Sequence, residues 1–387
     1  MRNKIIIIGG GPAGMMASFS AKIHHPEAEV FLFERNQELG KKMLLTGGGR
    51  CNLTVAVSNQ EIINQTWTNG KFLYRILNEF GPNEIMDFFN NHGCPLKIEN
   101  KQRVFPISNQ AKDVVLTLKN EIEKQGIIIK YNQYVSDLNL KSNYIISNQT
   151  KYKFDALIIA TGGKSFPSTG SDGNFFELLE KNQITLKPLF PAEVPLVSSD
   201  QVIQNKILQG LSFKNVKLKI KTTQTKLEFL DDIIFTHFGL SGPAALKSSH
   251  FINLLLKKQK SVLIMIDFLP NDSKELIEAE LKEGKIFLPK RFMKYLSTIS
   301  KNESKLATLI KSFPLEISST LGFKAAFVTS GGVDVAYLDP QTLKSKLYNN
   351  LSFAGETIDI NSATGGYNLT IALSSGYLAG KYCLKKA

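Results

Sequence analysis

An α/β fold built on a parallel sheet, interrupted by a segment of different texture, is what this 387-residue sequence predicts. Three observations predict it. The apolar run Ile5 to Ile8 ends in Gly9-Gly-Gly-Pro-Ala-Gly14 and a stretch of small residues follows. Strand-like and helix-like runs alternate as far as Thr161-Gly162-Gly163, the pattern of a sheet flanked by helices. After Pro188, Pro191 and Pro195 the texture changes to short alternating strands and then to polar helical segments from Ser273 to about Phe313, and the first texture returns at Gly331-Gly332-Val333.

The first element is the most informative. Gly9, Gly11 and Gly14 fill G-x-G-x-x-G between a strand-like run and a helix-like run, and Glu34 stands twenty positions after Gly14 at the end of the apolar run Val30 to Phe33. Gly9 permits the tight turn and Gly11 lets a pyrophosphate approach the backbone. Gly14, with Ala17 and Ala21, allows close helix-to-strand packing. The pyrophosphate belongs at the helix N-terminus, where unpaired N–H groups and the macrodipole favour negative charge. Glu34 is placed to accept hydrogen bonds from ribose hydroxyls, which favours an unphosphorylated ribose. The plainer alternative is a glycine-rich turn of structural purpose only.

The elements that follow keep to the α/β pattern. A second glycine-rich stretch, Thr46-Gly-Gly-Gly-Arg-Cys-Asn52, precedes helical runs around Lys71 to Asn91 and Lys112 to Gln125, then strands Ile127 to Lys130 and Ala156 to Ala160. Past the insert, Leu351-Ser-Phe-Ala354 leads into Gly355-Glu356 and Thr364-Gly-Gly-Tyr-Asn368, and a helix of small residues runs to about Leu384. Arg2, Lys4 and the apolar stretch imitate a signal peptide, but Gly9-Gly-Gly-Pro12 breaks the helix such a peptide needs. No apolar run approaches the ~20 residues that span a bilayer. Cys51, Cys94 and Cys383 are odd in number and include no C-x-x-C, which argues against a disulfide framework and a zinc site and for a reducing cytoplasm.

The net charge of +13 speaks to partners rather than to fold. Residues 191–324 carry 20 Lys+Arg against 13 Asp+Glu. Alternation in Asn215-Val-Lys-Leu-Lys-Ile-Lys221 puts Lys217, Lys219 and Lys221 on one strand face, and basic clusters recur at Lys257 to Lys260 and Lys290-Arg-Phe-Met-Lys294. Two readings stand: a solvated face, or a surface that tracks the phosphates of RNA with interleaved aromatics.

Which dinucleotide is bound turns on dispersal. A domain that binds NAD alone keeps its contacts within one lobe of ~150 residues. Here the glycine-rich elements fall at the start and near residues 48, 162 and 366. A long flavin dinucleotide, FAD, accounts for that spread, with the helix N-terminus after Gly366 able to stabilise negative charge on the reduced ring. There is no second G-x-G-x-x-G, so NADH or NADPH, as electron donor, has to reach the flavin through the substrate cleft.

The chain resembles a bacterial flavoprotein family variously described as NAD(P)/FAD-dependent oxidoreductases, as the aminoacetone oxidase family, or as the family of the bile-acid dehydroxylation flavoprotein and an rRNA dihydrouridine synthase. The carriers are Gly9 to Gly14, Gly40-Lys-Lys-Met-Leu-Leu-Thr-Gly-Gly-Gly-Arg-Cys-Asn52, Arg103-Val-Phe-Pro-Ile-Ser108, Ala160-Thr-Gly-Gly-Lys-Ser165, Phe235-Thr-His-Phe-Gly-Leu-Ser-Gly-Pro243, Gly355-Glu-Thr-Ile-Asp359 and Gly365-Gly-Tyr-Asn368. They span nearly the whole length. The resemblance implies an FAD-binding Rossmann-like domain of the glutathione-reductase type in two pieces, 1–190 and 325–387, with a β-barrel insert over 191–270 and a helical insert over 271–324.

By position, the resemblance puts Glu34 on the ribose, Gly11, Pro12, Ala13 and Gly14 on the pyrophosphate, and Ala160, Thr161 and Gly162 against the adenosine half. Gly355 and Glu356 fall near the ribityl chain, and Gly366, Tyr367 and Asn368 beside the ring. Gly9, Arg35, Lys42, Gly49, Arg50, Cys51, Asn52, Val135 and Asp359 complete the candidate cofactor set. Thr370, where the family often has Gln, and Lys344, where it often has an acid, depart from the pattern.

A flavin supplies the redox chemistry, so the protein has to place a substrate, polarise it and deliver a proton. Three candidates for that work are Cys51, His237 and Arg103. Cys51 is either a proton donor near the ring or a small packing residue. His237 either titrates in the substrate cleft or sits satisfied in a core. Arg103 and Arg50 either hold a carbonyl or phosphate bidentately or pair with carboxylates. Tyr367 and Phe105 are packing residues or stacking platforms. The reactions to weigh are reduction of a conjugated C=C bond, with uridine of 23S rRNA becoming dihydrouridine, a small-molecule enone reductase or amine oxidase, and an RNA-binding factor without turnover.

Overall fold

The structure is a computed structural model that describes residues 2–221 and 226–384, the side chain of Lys221 excepted. Two compact units divide the chain: Met1–Leu189 with Val328–Ala387, and Phe190–Phe327.

The first unit is built on a five-stranded parallel sheet. Strands β1 (Lys4–Ile8), β2 (Glu29–Phe33), β3 (Ile128–Lys130) and β4 (Ala156–Ile159) come from the first part of the chain, and the tail supplies strand Leu351–Phe353. The spatial order is tail strand, β4, β1, β2, β3, with Ile6 opposite both Leu157 and Phe31. Ile5 to Ile8 are all buried, as a central strand covered on both faces requires, which is why β1 reads as an unbroken apolar run. Helix α1 (Pro12–His24) packs on the tail helix Tyr367–Tyr382. Gly376 and Gly380 make that contact possible: a Cβ on them would stand 2.2 Å from Ala13 O and 2.3 Å from Ala17 O. The small residues of the tail are therefore a helix-to-helix seam rather than a solvent face.

The helix expected over 71–91 is two helices, Leu73–Glu79 and Pro82–Asn91. The break is chemical. Gly81 precedes a proline, which excludes it from helical conformation, and Pro82 opens the second helix while Glu84 accepts the Gly81 N–H at 2.8 Å.

The second unit is a closed six-stranded barrel of β5 (Leu196–Ser198), β6 (Ser212–Lys221), β7 (Lys226–Phe235), β8 (Gly239–Ser241), β9 (Val262–Asp267) and β10 (Phe313–Thr320), in the order β5-β8-β7-β6-β9-β10. The reading of 271–324 as helical needs correction. Helices Lys274–Lys282, Lys290–Ile299 and Glu303–Lys311 are followed by β10, whose Phe313, Leu315 and Ile317 alternate into the barrel and close it against β5 and β9. Its two-residue period is short enough to pass for the end of the preceding helix. The rings of Phe213, Phe235, Phe268, Phe292 and Phe313 meet in the core of this unit.

Candidate cofactor site

The glycine turn leaves β1 and enters α1 with Gly11 as its N-cap, at φ −77° and ψ −176°, and Pro12 in the first turn. Gly9 and Gly14 are where side chains are excluded. A Cβ on Gly14 would lie 1.8 Å from Gly9 O, and one on Gly9, at φ +108°, 2.4 Å from Ala160 O. Above Gly11 there is no protein atom within 4 Å of where a Cβ would be. The first turn of α1 holds no acidic side chain, so its amide dipoles face that open space uncompensated.

Glu34, 6% exposed, does more than was expected of it. One carboxylate oxygen accepts the Gly10 N–H at 2.7 Å; the other accepts the Asn36 N–H and the Asn36 side-chain amide, each at 2.7 Å. The residue therefore fastens the glycine turn to the end of β2. A carboxylate offers about four acceptor positions, so three bonds leave room for a ribose hydroxyl. The Gln133 N–H donates to Glu34 O, which brings Tyr134 and the buried Val135 alongside. Arg35 points elsewhere, to Asp172 at 2.6 Å and Gly170 O, with its guanidinium 5.2 Å from the Tyr134 ring.

Four remote segments converge at the N-terminus of α1. A Cβ on Gly355 would stand 2.7 Å from the Ala13 Cβ, so Glu356 is carried to the same place. Its carboxylate accepts Lys42 Nζ at 2.8 Å, Ser165 Oγ at 3.1 Å, the Thr329 N–H at 2.7 Å and the Gly163 N–H at 3.3 Å. Lys42 Nζ also donates to Ser165 Oγ at 2.7 Å, and Thr329 Oγ1 accepts the N–H groups of Lys164 and Ser165. The Gly162 N–H donates to Thr357 Oγ1, and Thr161 lies half-buried between it and Ala160. Ser165 and Thr329 were not foreseen. A hydroxyl that serves three partners leaves no spacing pattern in a sequence.

The other end forms around the N-terminus of the tail helix. Gly366 caps it at φ +107°, and a Cβ there would meet Thr54 O at 2.7 Å and Asn52 Oδ1 at 3.1 Å. Asn52 Oδ1 is buried and holds no hydrogen bond. Asn368 brackets Ser362, accepting its N–H and donating to its carbonyl, while Tyr367 is half-buried. Thr370, the departure from the family pattern, is fully buried and bonds Thr54 Oγ1 at 2.6 Å and Gly366 O at 3.0 Å, so it ties the helix to the loop after Asn52. Asp359 accepts the Gly331 N–H and an Asn69 amide bond, and burial pushes its carboxyl above the usual range. The open surface over Gly11, the uncompensated α1 terminus and the orphaned Asn52 Oδ1 fit FAD: a pyrophosphate for the first two, a hydrogen-bond donor on the ring for the third.

Of the three expected catalytic residues, Cys51 is a correction. It is fully buried in the core at φ +59°, and burial pushes its thiol up to about 12. It packs. Arg103 lies in the antiparallel sheet of Thr54–Val55, Arg103–Pro106 and Leu96–Glu99. Its Nε donates to Asn100 O at 3.1 Å and its guanidinium lies 5.8 Å from the Phe105 ring. Arg50 is the opposite case: it stacks 4.1 Å over the Phe105 ring and is pinned to Glu99 and Asn109. Phe105 is thus a buried support for arginine. Gly49 sits in the turn before Arg50 at φ +85°, where a Cβ would lie 4.0 Å from Leu44 O. His237 belongs to the second unit and is neither buried nor bonded; it projects from the turn between β7 and β8 against the Phe238 ring.

The alternating lysines of β6 are largely neutralised. Lys217 pairs with Glu228 at 3.2 Å, and Lys219 and Lys311 both hold the buried Asp267 at 3.0 Å. Lys247 holds the buried Asp231 at 2.9 Å. The Lys221 side chain lies outside the described residues. Phe292, one of the aromatics interleaved with the basic clusters, is in the core. Among the described residues no helix is long and apolar enough to cross a membrane, and no cluster of His, Cys, Asp or Glu could hold a metal ion.

Comparison with known proteins agrees with this geometry. The model of the HI0933-like protein Rossmann domain matches residues 3–382. The 3-dehydro-bile acid delta(4,6)-reductase of Clostridium scindens is 30% identical over 98% of both chains. The ribosomal RNA dihydrouridine synthase of Haemophilus influenzae is 28% identical over 96% of both. Among solved structures, 3-ketosteroid delta1-dehydrogenase from Sterolibacterium denitrificans shares the fold at TM-score 0.55 and 11% identity, over 98% of this chain and 99% of that one. The chain therefore belongs to the HI0933-like Rossmann family, a family of flavoprotein oxidoreductases.

Proposed function

We propose that this protein binds FAD and reduces a carbon–carbon double bond conjugated to a carbonyl, with uracil in 23S rRNA as the substrate and NADH or NADPH as the electron source. One observation carries the reading. Relatives that match nearly end to end include one named for reduction of a 3-dehydro-bile acid at delta(4,6) and one named for dihydrouridine formation in ribosomal RNA, and both reactions add hydrogen across a C=C bond conjugated to a carbonyl. Bound FAD supplies the hydride for such a bond.

The chain's own groups divide the remaining work. The amides at the start of α1 and the open face of Gly11 hold the pyrophosphate. Glu34 keeps that turn in place and takes a ribose hydroxyl with its remaining acceptor position. Lys42 and Glu356 tie the loop 40–52 to the tail, and Asn52 accepts from the ring. The Arg103 guanidinium, which spends its Nε on Asn100 O and lies beside the Phe105 ring, has further donors that suit a carbonyl oxygen gaining negative charge during reduction. With Cys51 buried, the proton comes from another donor, and water serves. Three buried free thiols suit a reducing cytoplasm.

A second reading, reduction of a small enone, is favoured by the neutralised lysine face of β6, which removes part of the charge that RNA would need. The test is tandem mass spectrometry of rRNA from a deletion strain, with the purified protein assayed anaerobically for reoxidation by rRNA and by a steroid dienone. Loss of one dihydrouridine and reoxidation by rRNA are expected. Unchanged dihydrouridine with fast reoxidation by the dienone gives the second reading. A flavin that neither NADH nor NADPH bleaches means a binding factor without turnover.

A further inference from the structure

Phe287 is 99% exposed, the most exposed large apolar residue of the described chain. It stands in the loop between helices Lys274–Lys282 and Lys290–Ile299, and its neighbours Ile286 and Leu288 turn inward onto the barrel core. The ring is thus held outward by an anchor on each side. A lone exposed apolar residue needs no explanation by itself. Its surroundings do. From Lys285 to Lys294 the chain carries Lys285, Lys290, Arg291 and Lys294 and no acid. Lys290 and Lys294, one helical turn apart, are exposed and join no ion pair, and like charges at that spacing repel. Lys290 and Arg291 also sit in the first turn of their helix, where the dipole disfavours cations. Arg291 donates to Gln209 O, which ties in the turn that bears the exposed, unpaired Lys206. Lys285 alone has an acidic neighbour, the exposed Glu283. Elsewhere in this unit Lys217, Lys219, Lys247 and Lys311 meet acids, whereas Lys206, Lys290 and Lys294 join no ion pair among the described residues.

We propose that this loop is a docking surface for single-stranded RNA, with Phe287 stacking on an unpaired base and Lys206, Lys290, Arg291 and Lys294 on the flanking phosphates. It rests on the reading of rRNA as substrate and adds to it a grip outside the cofactor site. One flat ring with both neighbours turned inward offers a base a platform. It offers a bilayer too little apolar surface, since interfacial anchoring takes a whole helix face. The charge is complementary to a phosphate backbone, whose contribution fades with salt.

The test uses the full-length holoprotein and a fluorescein-labelled 20-nucleotide oligouridine, read by anisotropy between about 50 and 200 mM salt, with vesicles of phosphatidylserine and phosphatidylcholine as the second arm. Wild type should bind the RNA with a log–log salt slope of about −2 to −3, from three or four phosphates at ~0.7 each. Phe287→Ala should weaken binding roughly tenfold at every salt concentration with the slope unchanged, as loss of one stacked base does. The double change Lys290→Gln and Lys294→Gln should flatten the slope by about 1.4. Thermal melts should leave both variants folded, because the side chains are exposed. Equal RNA affinity in all three proteins, no RNA binding by wild type, or Phe287-dependent binding to vesicles instead overturns the proposal. Failure here is separable from failure of the substrate reading. If wild type forms dihydrouridine in rRNA while Phe287→Ala binds normally, the surface falls and the activity stands. If RNA binding depends on Phe287 but no uracil is reduced, the surface stands and the activity falls.

Discussion

Replacing Gly11 by alanine separates cofactor binding from folding. Its φ of −77° suits any residue, and the new Cβ meets no protein atom within 4 Å. Stability of the flavin-free protein should therefore change by no more than about 1 kcal/mol, because alanine is the poorer N-cap by up to about 1 kcal/mol but gains about 0.4–1 kcal/mol by restricting the unfolded chain. The methyl group enters the space over the α1 amides where the pyrophosphate belongs. Overpacking of a close contact costs about 1–3 kcal/mol, and 1.4 kcal/mol is tenfold, so the FAD dissociation constant should rise between about fivefold and a hundredfold. Gly14→Ala is the control. Its Cβ would lie 1.8 Å from Gly9 O, where a carbon-to-oxygen contact needs about 3.3–3.6 Å, so α1 must retreat and both folding and FAD binding should suffer. The assay is titration of FAD into deflavinated protein by flavin fluorescence, beside urea unfolding of the same samples. An unchanged FAD affinity in Gly11→Ala, or a loss of stability equal to that of Gly14→Ala, refutes the reasoning.

Glu356→Gln replaces an acceptor of four hydrogen bonds by a group half of which is a donor. Its urea midpoint should fall by the equivalent of about 1–3 kcal/mol, and an unchanged midpoint means the Lys42 cluster is dispensable. Burial, aided by Lys257, holds the His250 imidazole down at about 4, against an ordinary 6.5. The unfolded chain takes the proton first as pH falls, so stability should decline from pH 6.5 and be lower by roughly 3 kcal/mol near pH 4. Unfolding of His250→Gln across that range should show a shallower decline; an identical profile removes His250 as the cause. Cys51 and Cys383, both held up at about 12 by burial, should be almost entirely thiol at pH 8. Ellman's reagent should find no fast-reacting group in the native protein and three in guanidinium, and a fast native thiol counts against the buried loop at Cys51.

What could be read in advance was what has a period or a spacing. The apolar run of β1, the glycines of the turn and Glu34 at its fixed distance each answer to backbone geometry, and backbone geometry repeats from protein to protein. The approach of Gly355 to Ala13 was not read from the residues, because a lone glycine far along the chain does not name the helix it meets. Side-chain contacts across hundreds of residues were not legible either. Glu356 gathers partners from positions 42, 163, 165 and 329, and no local pattern records that. Cys51 looked reactive because its loop is rich in glycine, yet burial depends on what covers the loop. β10 escaped notice because the helical texture was read only to about Phe313 and the resemblance carried the helical insert on to 324, over a strand whose barrel partners lie far away in sequence.

The seam of Gly376 and Gly380 on α1 has a consequence for biosynthesis. Helix α1 finds its partner in a helix that follows the barrel in the chain, so the nucleotide pocket cannot be finished until the barrel has been made and the tail helix has emerged. The barrel, encoded in one uninterrupted stretch, has all its strands in hand before the tail strand and tail helix are made. Newly made protein thus passes through a stage in which the barrel strands are all present while the Rossmann sheet still lacks its tail strand, and the cofactor turn gains its full support only once the tail has been made.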